Sequence, residues 1–552
     1  MRTKLITILL FSAAGALAQP FIYTKGVVNT ASVMAPDLPG GRIAQGSIFS
    51  IYGTGLGPVT GAQVSQYPLQ ATFQNVAVKV FQGRTSVDAL PIYVSAAQIN
   101  AVMPSNAPQG RVSVQVSYSG QTSNPAPVTV VPASFGIFAV NGGGFGPAVV
   151  QNFISAASQP INSLSQAAAP GQVEVLWGTG LGALTAPDNQ APPAGSLPVQ
   201  VEVFVGGKPA GVAYSGRTPC CSGVDQIVFT TPADAPLGCF VPVQVRVAGQ
   251  VVSNAVTMAI QTGGAACSDA NNPLEQKFIS GGNLGAVFAA RISGVLDQFV
   301  AQPVNLLMDS FTATLWRETG GAFVFNPAYA LPPQGSCSVY TVAGDLLNDT
   351  GLPGGSLPTG RALEGGSPLR ISGAGGNASI PFNTPWYSQI VGSNIPGTAA
   401  PNPFFNSGNF SVTSPGGANV AGIQASVAAS APVSWTNQSQ LARVNRAQAL
   451  TFTWQGGDPQ HETVLLTGVS SDTPTHSSAA FICAASPSAG SFTVPAYVLA
   501  NLPATRTTEP LPRAWLLLGS IPINGAGAFS ANGLDAGFSL FGSWLAKSVA
   551  FQ

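Results

Sequence analysis

Alternating apolar and polar residues predict that most of this chain forms β-strands. Val201, Val203 and Val205 are separated by Glu202 and Phe204, so the three valines share one face of an extended strand. Further valine runs with the same period of two lie at 76–80, 112–116 and 243–247. Clusters of Gly and Pro interrupt these runs about every 8–12 residues, which is typical of antiparallel β-sandwiches. The pattern therefore predicts an all-β fold.

The first half of the chain contains an internal duplication. The segment SIYGTGLG, which contains Gly53, recurs as VLWGTGLG around Gly178. Later matches keep the same order and a nearly constant spacing: Gln98 with Gln226, Pro104 with Pro232, Gly110 with Gly238, and Ser123-Asn124 with Ser253-Asn254. Ordered matches of this kind indicate a duplicated unit. We therefore assign repeat 1 to residues 22–131 and repeat 2 to residues 132–262.

The G-T-G-L-G segment of each repeat is rich in glycine, as many phosphate-binding loops are. A dinucleotide site needs G-x-G-x-x-G at the start of a helix, whereas the spacing here is G-x-G-x-G and Pro58 follows Gly57. Glycine also permits the left-handed backbone that a chain adopts when it leaves a sheet abruptly. We therefore interpret the segment as a structural turn.

Taken together, these motifs resemble an IPT/TIG immunoglobulin-like domain. The resemblance rests on the strand that ends in G-T-G-L-G, on the V-x-V-x-V-G-G strand at 201–207 and on DQIVFTTP at 225–232. As a pair, residues 22–262 are similar to the tandem-repeat domain of acidobacterial (Solibacter-type) secreted proteins, through GVVNTAS at 26–32 and YVSAAQIN at 93–100. The resemblance implies tandem immunoglobulin-like β-sandwich domains and no particular activity.

The second half of the chain is predicted to contain a further C-terminal β-sandwich, at residues 361–552. Short apolar runs bounded by Gly, Pro and Ser recur through this segment. Between it and the repeats, residues 263–360 form a mixed, mostly β region of unknown type. Within that region Phe288, Ile292 and Leu296 recur at a spacing typical of a helix, although the segment fits two strands equally well.

The N-terminus has the three-part pattern of a secretory signal peptide. Arg2 and Lys4 precede an apolar run, and Ala16-Leu17-Ala18 supplies the small-residue cleavage site. We therefore expect residues 1–18 to be removed after Ala18 and the protein to be secreted, periplasmic or on the cell surface. No later stretch approaches the roughly 18 apolar residues of a membrane span, so no transmembrane segment is expected after cleavage.

Charged residues are unusually few, and this narrows the possible functions. The 552 residues include only 20 Lys and Arg and 20 Asp and Glu, or 7%, against about 25% in ordinary globular domains. A chain with zero net charge and no basic cluster has no nucleic-acid footprint, and we expect no cofactor, no metal and no enzymatic activity. The remaining enzymatic alternative is a hydrolytic site in residues 263–552, for which His461 with Glu462 and Asp458 is the candidate.

An even number of cysteines in an exported chain predicts disulfides. The six cysteines are Cys220, Cys221, Cys239, Cys267, Cys337 and Cys483. Two of them lie in an insertion at 216–223 that repeat 1 lacks. Because neighbouring cysteines form a disulfide with each other poorly, we expect Cys239 to pair with Cys220 or Cys221, and the other member of that pair to reach Cys267. Cys337 with Cys483 then follows by elimination, and a metal site at Cys220 and Cys221 is the alternative.

Exposed aromatic side chains are the remaining candidates for ligand contact. Pro385 and a Gly- and Asn-rich stretch predict that Trp386 and Tyr387 lie together on a loop. Low charge with abundant Ser, Thr, Asn and Gln suits an uncharged partner, either an extracellular polysaccharide or a surface protein. The sequence thus favours a non-catalytic adhesion or extracellular interaction protein. The alternatives are a glycan-binding accessory protein of a polysaccharide-handling system, or an enzyme.

Overall fold

The computed structural model is built almost entirely of β-strands, which confirms the predicted all-β class of tandem sandwich domains. The predicted signal peptide and His476 lie outside the residues that the structure describes. The described residues are 19–36, 38–249, 251–267, 275–296, 304–326, 330–343, 360–394, 403–472, 477–505, 513–523 and 527–552.

Repeat 1 forms a continuous hydrogen-bonded path in the order β1-β3-β8-β7-β6-β9-β11-β2. Its strands are β1 (Phe21–Asn29), β2 (Ile43–Ala44), β3 (Ile48–Thr54), β4 (Ala62–Gln63), β5 (Thr72–Phe73), β6 (Val76–Gln82), β7 (Thr85–Val94), β8 (Gln98–Val102), β9 (Gly110–Tyr118), β10 (Gln121–Thr122) and β11 (Ala126–Val131). The predicted alternation holds, because Val76, Val78 and Val80 on β6 point into one buried core with Val114 of β9.

Repeat 2 has the corresponding path, β12-β14-β18-β17-β16-β19-β20, and its own core. Its strands are β12 (Gly136–Ile137), β13 (Val150–Asn152), β14 (Val173–Thr179), β15 (Gly195–Ser196), β16 (Val201–Val205), β17 (Lys208–Arg217), β18 (Asp225–Thr230), β19 (Gly238–Val247), β20 (Val251–Val252) and β21 (Val256–Ile260). Each repeat thus encloses a separate apolar core, although the exact domain boundaries remain a prediction.

The duplicated Ser-Asn motif makes equivalent hydrogen bonds in the two repeats. In repeat 1 the side chain of Asn124 accepts from the N–H of Ile22 at 2.8 Å and donates to its carbonyl at 3.0 Å. In repeat 2 Asn254 does the same to Ile137, at 2.8 and 2.9 Å. The asparagine therefore fastens the first strand of each unit to its last strands, which is the structural reason that the motif recurs.

The remaining strands form one long sheet and smaller sheets that cover it. The elements are α1 (Glu275–Ser280), β22 (Gly282–Leu296), β23 (Val304–Glu318), β24 (Ser336–Ala343), β25 (Arg361–Ala362), β26 (Leu369–Gly373), β27 (Gly376–Ile380), β28 (Phe382–Asn383), β29 (Trp386–Ser393), β30 (Gly408–Thr413), β31 (Gln424–Ala429), β32 (Ser434–Trp435), β33 (Arg443–Val444), β34 (Leu450–Gln455), β35 (Glu462–Asp472), β36 (Ser477–Ala485), β37 (Ser491–Val494), α2 (Ala496–Leu499), β38 (Ala514–Pro522), β39 (Gly527–Phe529), β40 (Ala536–Ser548) and β41 (Ala550–Phe551).

The long sheet has the order β24-β36-β35-β38-β40-β22-β23-β29-β28 and buries one face under two cores. One core joins Leu518 to Phe452 of the sheet β32-β34-β37, and the other joins Phe311 to Phe410 of the sheet β27-β26-β30-β31. The sheet includes strands on both sides of residue 360, so residues 263–360 and 361–552 share its hydrogen bonding. The opposite face of the long sheet is called the outer face below.

The segment with helix-like spacing folds as the hairpin β22–β23, so the alternative of two strands is the correct one. Phe288 and Ile292 are four residues apart, and side chains four apart share a face in a strand as well as in a helix. Both strands have 15 residues and pair along their whole length, with Phe288 opposite Thr312. Periodicity alone therefore did not distinguish the two structures here.

A buried ion pair holds the two repeats together. Arg217 at the end of β17 is 1% exposed and Asp225 at the start of β18 is 0% exposed, with Nε donating to Oδ1 at 2.7 Å. The remaining guanidinium nitrogens donate to two backbone carbonyls: Nη1 to Gly46 of repeat 1 at 2.6 Å and Nη2 to Gly182 at 2.7 Å. One arginine thus links three chain segments, one of which belongs to the other repeat.

The G-T-G-L-G turn of repeat 2 completes this junction. The N–H groups of Gly180 and Leu181 both donate to Asp225 Oδ2 at 2.7 Å, and Thr179 accepts from the N–H of Ile48 in repeat 1 at 2.8 Å. Gly180 has a φ of +115°, in the region that favours glycine. The segment is therefore a structural turn, as predicted, and it also forms part of the contact between the repeats.

We expect Arg217→Met to lower the free energy of unfolding by about 3–5 kcal/mol, because it leaves Asp225 buried without its counter-charge. The matched control is Arg246→Met, which breaks a partly exposed pair with Glu202 on the same repeat and should cost at most about 1 kcal/mol. Urea denaturation of both variants tests this, and equal losses would contradict a special role for the buried pair.

Glu174 on β14 is a buried carboxyl with no hydrogen-bond partner on either oxygen. Phe229 lies opposite it on β18, within the core of repeat 2. Burial raises the pKa of Glu174 to about 9. The duplication explains the setting, since Glu174 precedes Gly178 by the same number of residues as the buried Phe49 precedes Gly53.

The stability of repeat 2 should therefore depend on pH through Glu174. Its pKa is near 4.5 when unfolded and about 9 when folded, so between these values the folded state binds the extra proton. The stabilisation is complete below about pH 4.5 and declines as pH rises toward 9, by up to about 1.4 kcal/mol per pH unit. We expect Glu174→Gln to remove this slope in urea denaturation series.

Glu202→Gln is the control for this experiment. Hydrogen bonding to Arg246 lowers the pKa of Glu202, so this carboxyl loses its proton at acid pH and does not titrate in the alkaline range. That variant should keep the alkaline slope. Parallel curves for wild type and Glu174→Gln would show that the Glu174 carboxyl is ionised in the fold.

Candidate functional site

Trp386 begins β29 at the margin of the long sheet and is 36% exposed. Ser388 is also exposed, and Ile390 is 40% exposed. On the neighbouring strand β23, Thr312 lies opposite Ser388 and Ser310 lies opposite Ile390. The hydroxyls of Thr312 and Ser388 are 3.3 Å apart. These five residues on the outer face are called the Trp386 patch.

Tyr387 does not belong to this patch, so the prediction that Trp386 and Tyr387 lie together on a loop is wrong. Both are on a strand, and successive strand residues point to opposite faces. The Tyr387 hydroxyl accepts from the N–H of Gly365 at 3.1 Å and donates to the carbonyl of Gly366 at 2.9 Å. Burial raises the pKa of Tyr387, which is a core residue.

Charged side chains are missing from the outward positions around the Trp386 patch. Strand register places the following residues on the outer face, on the strands from β23 across to β35: Phe288, Ala290 and Ile292 on β22, Met308 and Thr314 on β23, Leu540 and Trp544 on β40, Trp515 and Leu517 on β38, and Thr467 and Val469 on β35. None of them is ionisable. These positions offer aromatic, aliphatic and hydroxyl groups, which fits an uncharged partner.

The connection between β23 and β24 covers other parts of the outer face. Val324 packs against a cluster that includes Leu284 and Trp316, and Leu331 packs against a cluster that includes Leu465 and Ile521. Neither cluster contains a residue of the Trp386 patch. Neither cluster therefore covers the patch, where Trp386 remains exposed.

Five other tryptophans are more enclosed than Trp386. Trp435 and Trp454 are buried, and the ring of Trp435 stacks on Phe452 with 5.3 Å between centroids. Trp177 is half-buried and its Nε1 donates to Gln151 Oε1 at 2.8 Å. Trp515 and Trp544 are half-buried on the outer face. Trp386 is the best placed of these for ligand contact.

Repeat 2 has a second exposed apolar surface that sequence reasoning missed. Phe153 is 40% exposed, and Ile154, Ile161 and Val173 are also exposed. The N–H of Phe153 donates to the carbonyl of Val173 at 3.0 Å, which brings these side chains together. This surface provides a matched control for the Trp386 patch.

The cysteines form three disulfides, but two of the expected pairings are wrong. Cys220 bonds to Cys221, Cys239 bonds to Cys267, and Cys337 bonds to Cys483 as predicted. Strand direction explains the difference. Lys208 at the start of β17 pairs with Val205 of β16, and Val205 also pairs with Val243 of β19. The start of β17 and Val243 therefore lie at the same end of repeat 2. The insertion follows the other end of β17, about 30 Å away at the usual rise per residue, so Cys239 and the insertion are at opposite ends of repeat 2.

His461 lies in an exposed turn beside Asp458, with Nδ1 and Oδ2 2.7 Å apart. The hydrogen bond from His461 lowers the pKa of Asp458. Glu462 Oε2 accepts from the N–H of Asp458 at 3.0 Å. The turn joins β34 to β35, which belong to different sheets. These contacts are all local, and they account for all three residues as turn-forming groups.

Within the described ranges, no group of three or more His, Cys, Asp or Glu side chains is arranged to hold a metal ion. Among the same residues, no helix has the length and hydrophobicity that a membrane crossing requires.

Residues 37–130 match the family model of the IPT/TIG domain. The match lies within repeat 1 and confirms that part of the resemblance. The shared strand order and Ser-Asn hydrogen bonds extend the IPT/TIG-like description to repeat 2. No curated protein matches the chain. The similarity to Solibacter-type secreted proteins stays a prediction.

Several solved structures are similar to parts of the chain. The full extracellular region of plexin A4 is 12% identical with a TM-score of 0.16, and the alignment covers 72% of this chain and 31% of plexin A4. Domains 5–6 of the S-layer protein SbsC are 11% identical with a TM-score of 0.15, covering 44% of this chain and 99% of that one. A tandem of titin immunoglobulin domains is 10% identical with a TM-score of 0.11, covering 40% and 91%. The chain thus spans less than a third of the plexin A4 structure.

Substitution of the two adjacent aromatics should separate their roles. We expect Tyr387→Ala to lower the free energy of unfolding by about 3–5 kcal/mol, because it empties a core position. Trp386→Ala removes a surface side chain and should change stability by no more than about 0.5 kcal/mol. Chemical denaturation of both variants tests the assignment. A large loss from Trp386→Ala would mean that the indole is a structural group.

Proposed function

We propose that this protein is exported and acts without catalysis, as an extracellular interaction protein that adheres to uncharged polysaccharide through the Trp386 patch. The observation that carries the proposal is an exposed indole beside a row of hydroxyls, with no ionisable side chain in the Trp386 patch. Repeats 1 and 2 would serve as a rigid tandem that holds this face away from their own N-terminus.

The chemistry of the patch suits a neutral sugar polymer. A pyranose ring has a C–H face that packs on a flat indole, and its hydroxyls exchange hydrogen bonds with serine and threonine. Ser388 and Thr312 supply such groups next to Trp386. A charged polymer would lose hydration against this face without finding a counter-charge. These points favour glycan adhesion over contact with a charged surface protein.

Export is supported by the N-terminal pattern and by the cysteines. Cys239, Cys267 and Cys483 are buried disulfide partners in the apolar interior, and structural disulfides are typical of oxidising compartments. Cleavage after Ala18 and membership of the Solibacter-type secreted family are parts of this proposal.

Binding of the purified full chain to insoluble polysaccharides tests the proposed site. The panel contains a neutral β-glucan, a neutral α-glucan, a xylan and an acidic polyuronate. We expect retention on at least one neutral polymer and none on the polyuronate. Trp386→Ala should weaken that retention about tenfold, since loss of one aromatic contact costs roughly 1.4 kcal/mol.

Phe153→Ala is the matched control, because Phe153 is an aromatic of similar exposure on repeat 2. It should bind as wild type does. Loss of binding in Phe153→Ala but not in Trp386→Ala would move the site to repeat 2. Release of soluble sugar by the wild type, abolished in His461→Ala, would replace the proposal with the enzymatic alternative. Retention on none of the polymers would contradict glycan adhesion.

A further inference from the structure

The disulfide between Cys220 and Cys221 differs from the other two in its exposure. Cys220 is exposed and Cys221 is half-buried. Cys267 and Cys483, by contrast, are fully buried within their clusters. Thiol–disulfide exchange needs a thiolate to reach a sulfur atom along the S–S axis, so access controls its rate. Of the three disulfides, this is the one that includes an exposed cysteine residue.

The insertion that carries this disulfide is a compact loop closed at its base. Arg217 and Asp225 form the buried pair at the two ends of the loop. Above them the N–H of Thr218 donates to the carbonyl of Val224, and the N–H of Val224 donates to the carbonyl of Cys221, both at 3.1 Å. The base of the loop also meets repeat 1, through the bond from Arg217 to Gly46 and the packing of Val224 near Ile48, and the two cysteines lie at the tip.

The loop tip contacts repeat 1 through one tyrosine. The N–H of Ser222 donates to the hydroxyl of Tyr67 at 2.7 Å, and that hydroxyl donates to the carbonyl of Cys220 at 3.4 Å. The Ser222 hydroxyl is shared between the carbonyls of Asp188 and Gln190, at 2.9 and 3.1 Å. The groups that bind Tyr67 are thus the carbonyl of the peptide bond between the two cysteines and the N–H of the residue that follows them.

We propose that Cys220–Cys221 is a site of thiol–disulfide exchange that controls how tightly the insertion holds repeat 1. The reductant is an external dithiol. One of its thiolates attacks Cys220 Sγ, the S–S bond breaks, and Cys221 leaves as a thiolate that takes a proton. The second dithiol sulfur then attacks the mixed disulfide and releases the Cys220 thiol. Two electrons pass to the cysteine pair, and the dithiol leaves as a disulfide. This inference does not depend on the proposed glycan binding.

Reduction changes the geometry that Tyr67 recognises. The disulfide closes a small ring with the peptide bond between the two cysteines and so restricts the backbone on both sides of it. Opening the ring returns conformational freedom to the loop tip, and the contacts to Tyr67 then have to compete with that entropy. The Arg217–Asp225 pair at the base is buried and unaffected, so the repeats stay joined while the tip loosens.

The experiment treats the native full chain with dithiothreitol, quenches it with an alkylating agent and maps the labelled cysteines. We expect Cys220 and Cys221 to be labelled at least about tenfold faster than the four buried cysteines, because access sets the rate. Hydrogen exchange at residues 218–224 should rise on reduction, while exchange in the core strands of repeat 2 stays the same.

Two variants make the result specific. A Cys220→Ser, Cys221→Ser chain should show the raised exchange at 218–224 without reductant and no further change with it. Tyr67→Phe keeps the disulfide but loses both hydrogen bonds, so its loop tip should exchange faster even when oxidised. Equal labelling rates for all cysteines would overturn the proposal. So would reduction that leaves exchange at 218–224 unchanged, or peptide mapping that pairs Cys220 or Cys221 with another cysteine.

Discussion

The buried pair of Arg217 and Asp225 is the constraint on which the arrangement of the first half depends. A guanidinium and a carboxylate without solvent are tolerated only when their hydrogen-bonding groups are satisfied. Here that requirement is met only if a carbonyl of repeat 1, Gly46, stands beside the turn of repeat 2. Sliding or rotating one repeat against the other would remove a partner from a buried charge. In a chain with so few charges, placing two of them at this junction gives the pair of sandwiches one relative position.

The two repeats show how a duplicated unit becomes asymmetric. Glu174 stands where repeat 1 has Phe49, and the insertion at 216–223 has no counterpart in repeat 1. The motifs that build the sandwich, such as Asn124 and Asn254, kept their hydrogen bonds. Repeat 2 therefore has the same framework as repeat 1 and differs at one core position and at the insertion that meets repeat 1. The framework is what the IPT/TIG match within residues 37–130 describes.

Local patterns in the sequence predicted local features well, because strand alternation and turn chemistry act over a few residues. The valine strands, the glycine turn and the duplication are of this kind. Tyr387 was misplaced because a proline and glycines nearby suggested a loop, whereas the partner strand that makes residue 386 part of a sheet lies some seventy positions earlier, at Thr314. The Trp386 patch could not be foreseen for the same reason. Its hydroxyls come from β23 and β29 together, and its indole comes from β29.

The disulfides also show that local sequence patterns do not predict contacts between distant residues. Cys337 and Cys483 are 146 residues apart, yet they face each other on adjacent strands of the long sheet with 4.0 Å between their Cα atoms. This pair was predicted only by elimination, after the other four cysteines had been assigned to each other. Both of those assignments were wrong, so the agreement is a matter of chance. What decides a disulfide is which strand ends meet, and Cys239 meets Cys267 because β19 and β21 are neighbours. Cys220 and Cys221 were left with each other because the insertion lies at the opposite end of the sandwich, against Tyr67. The exposed disulfide is thus a consequence of the same junction that the buried ion pair fixes.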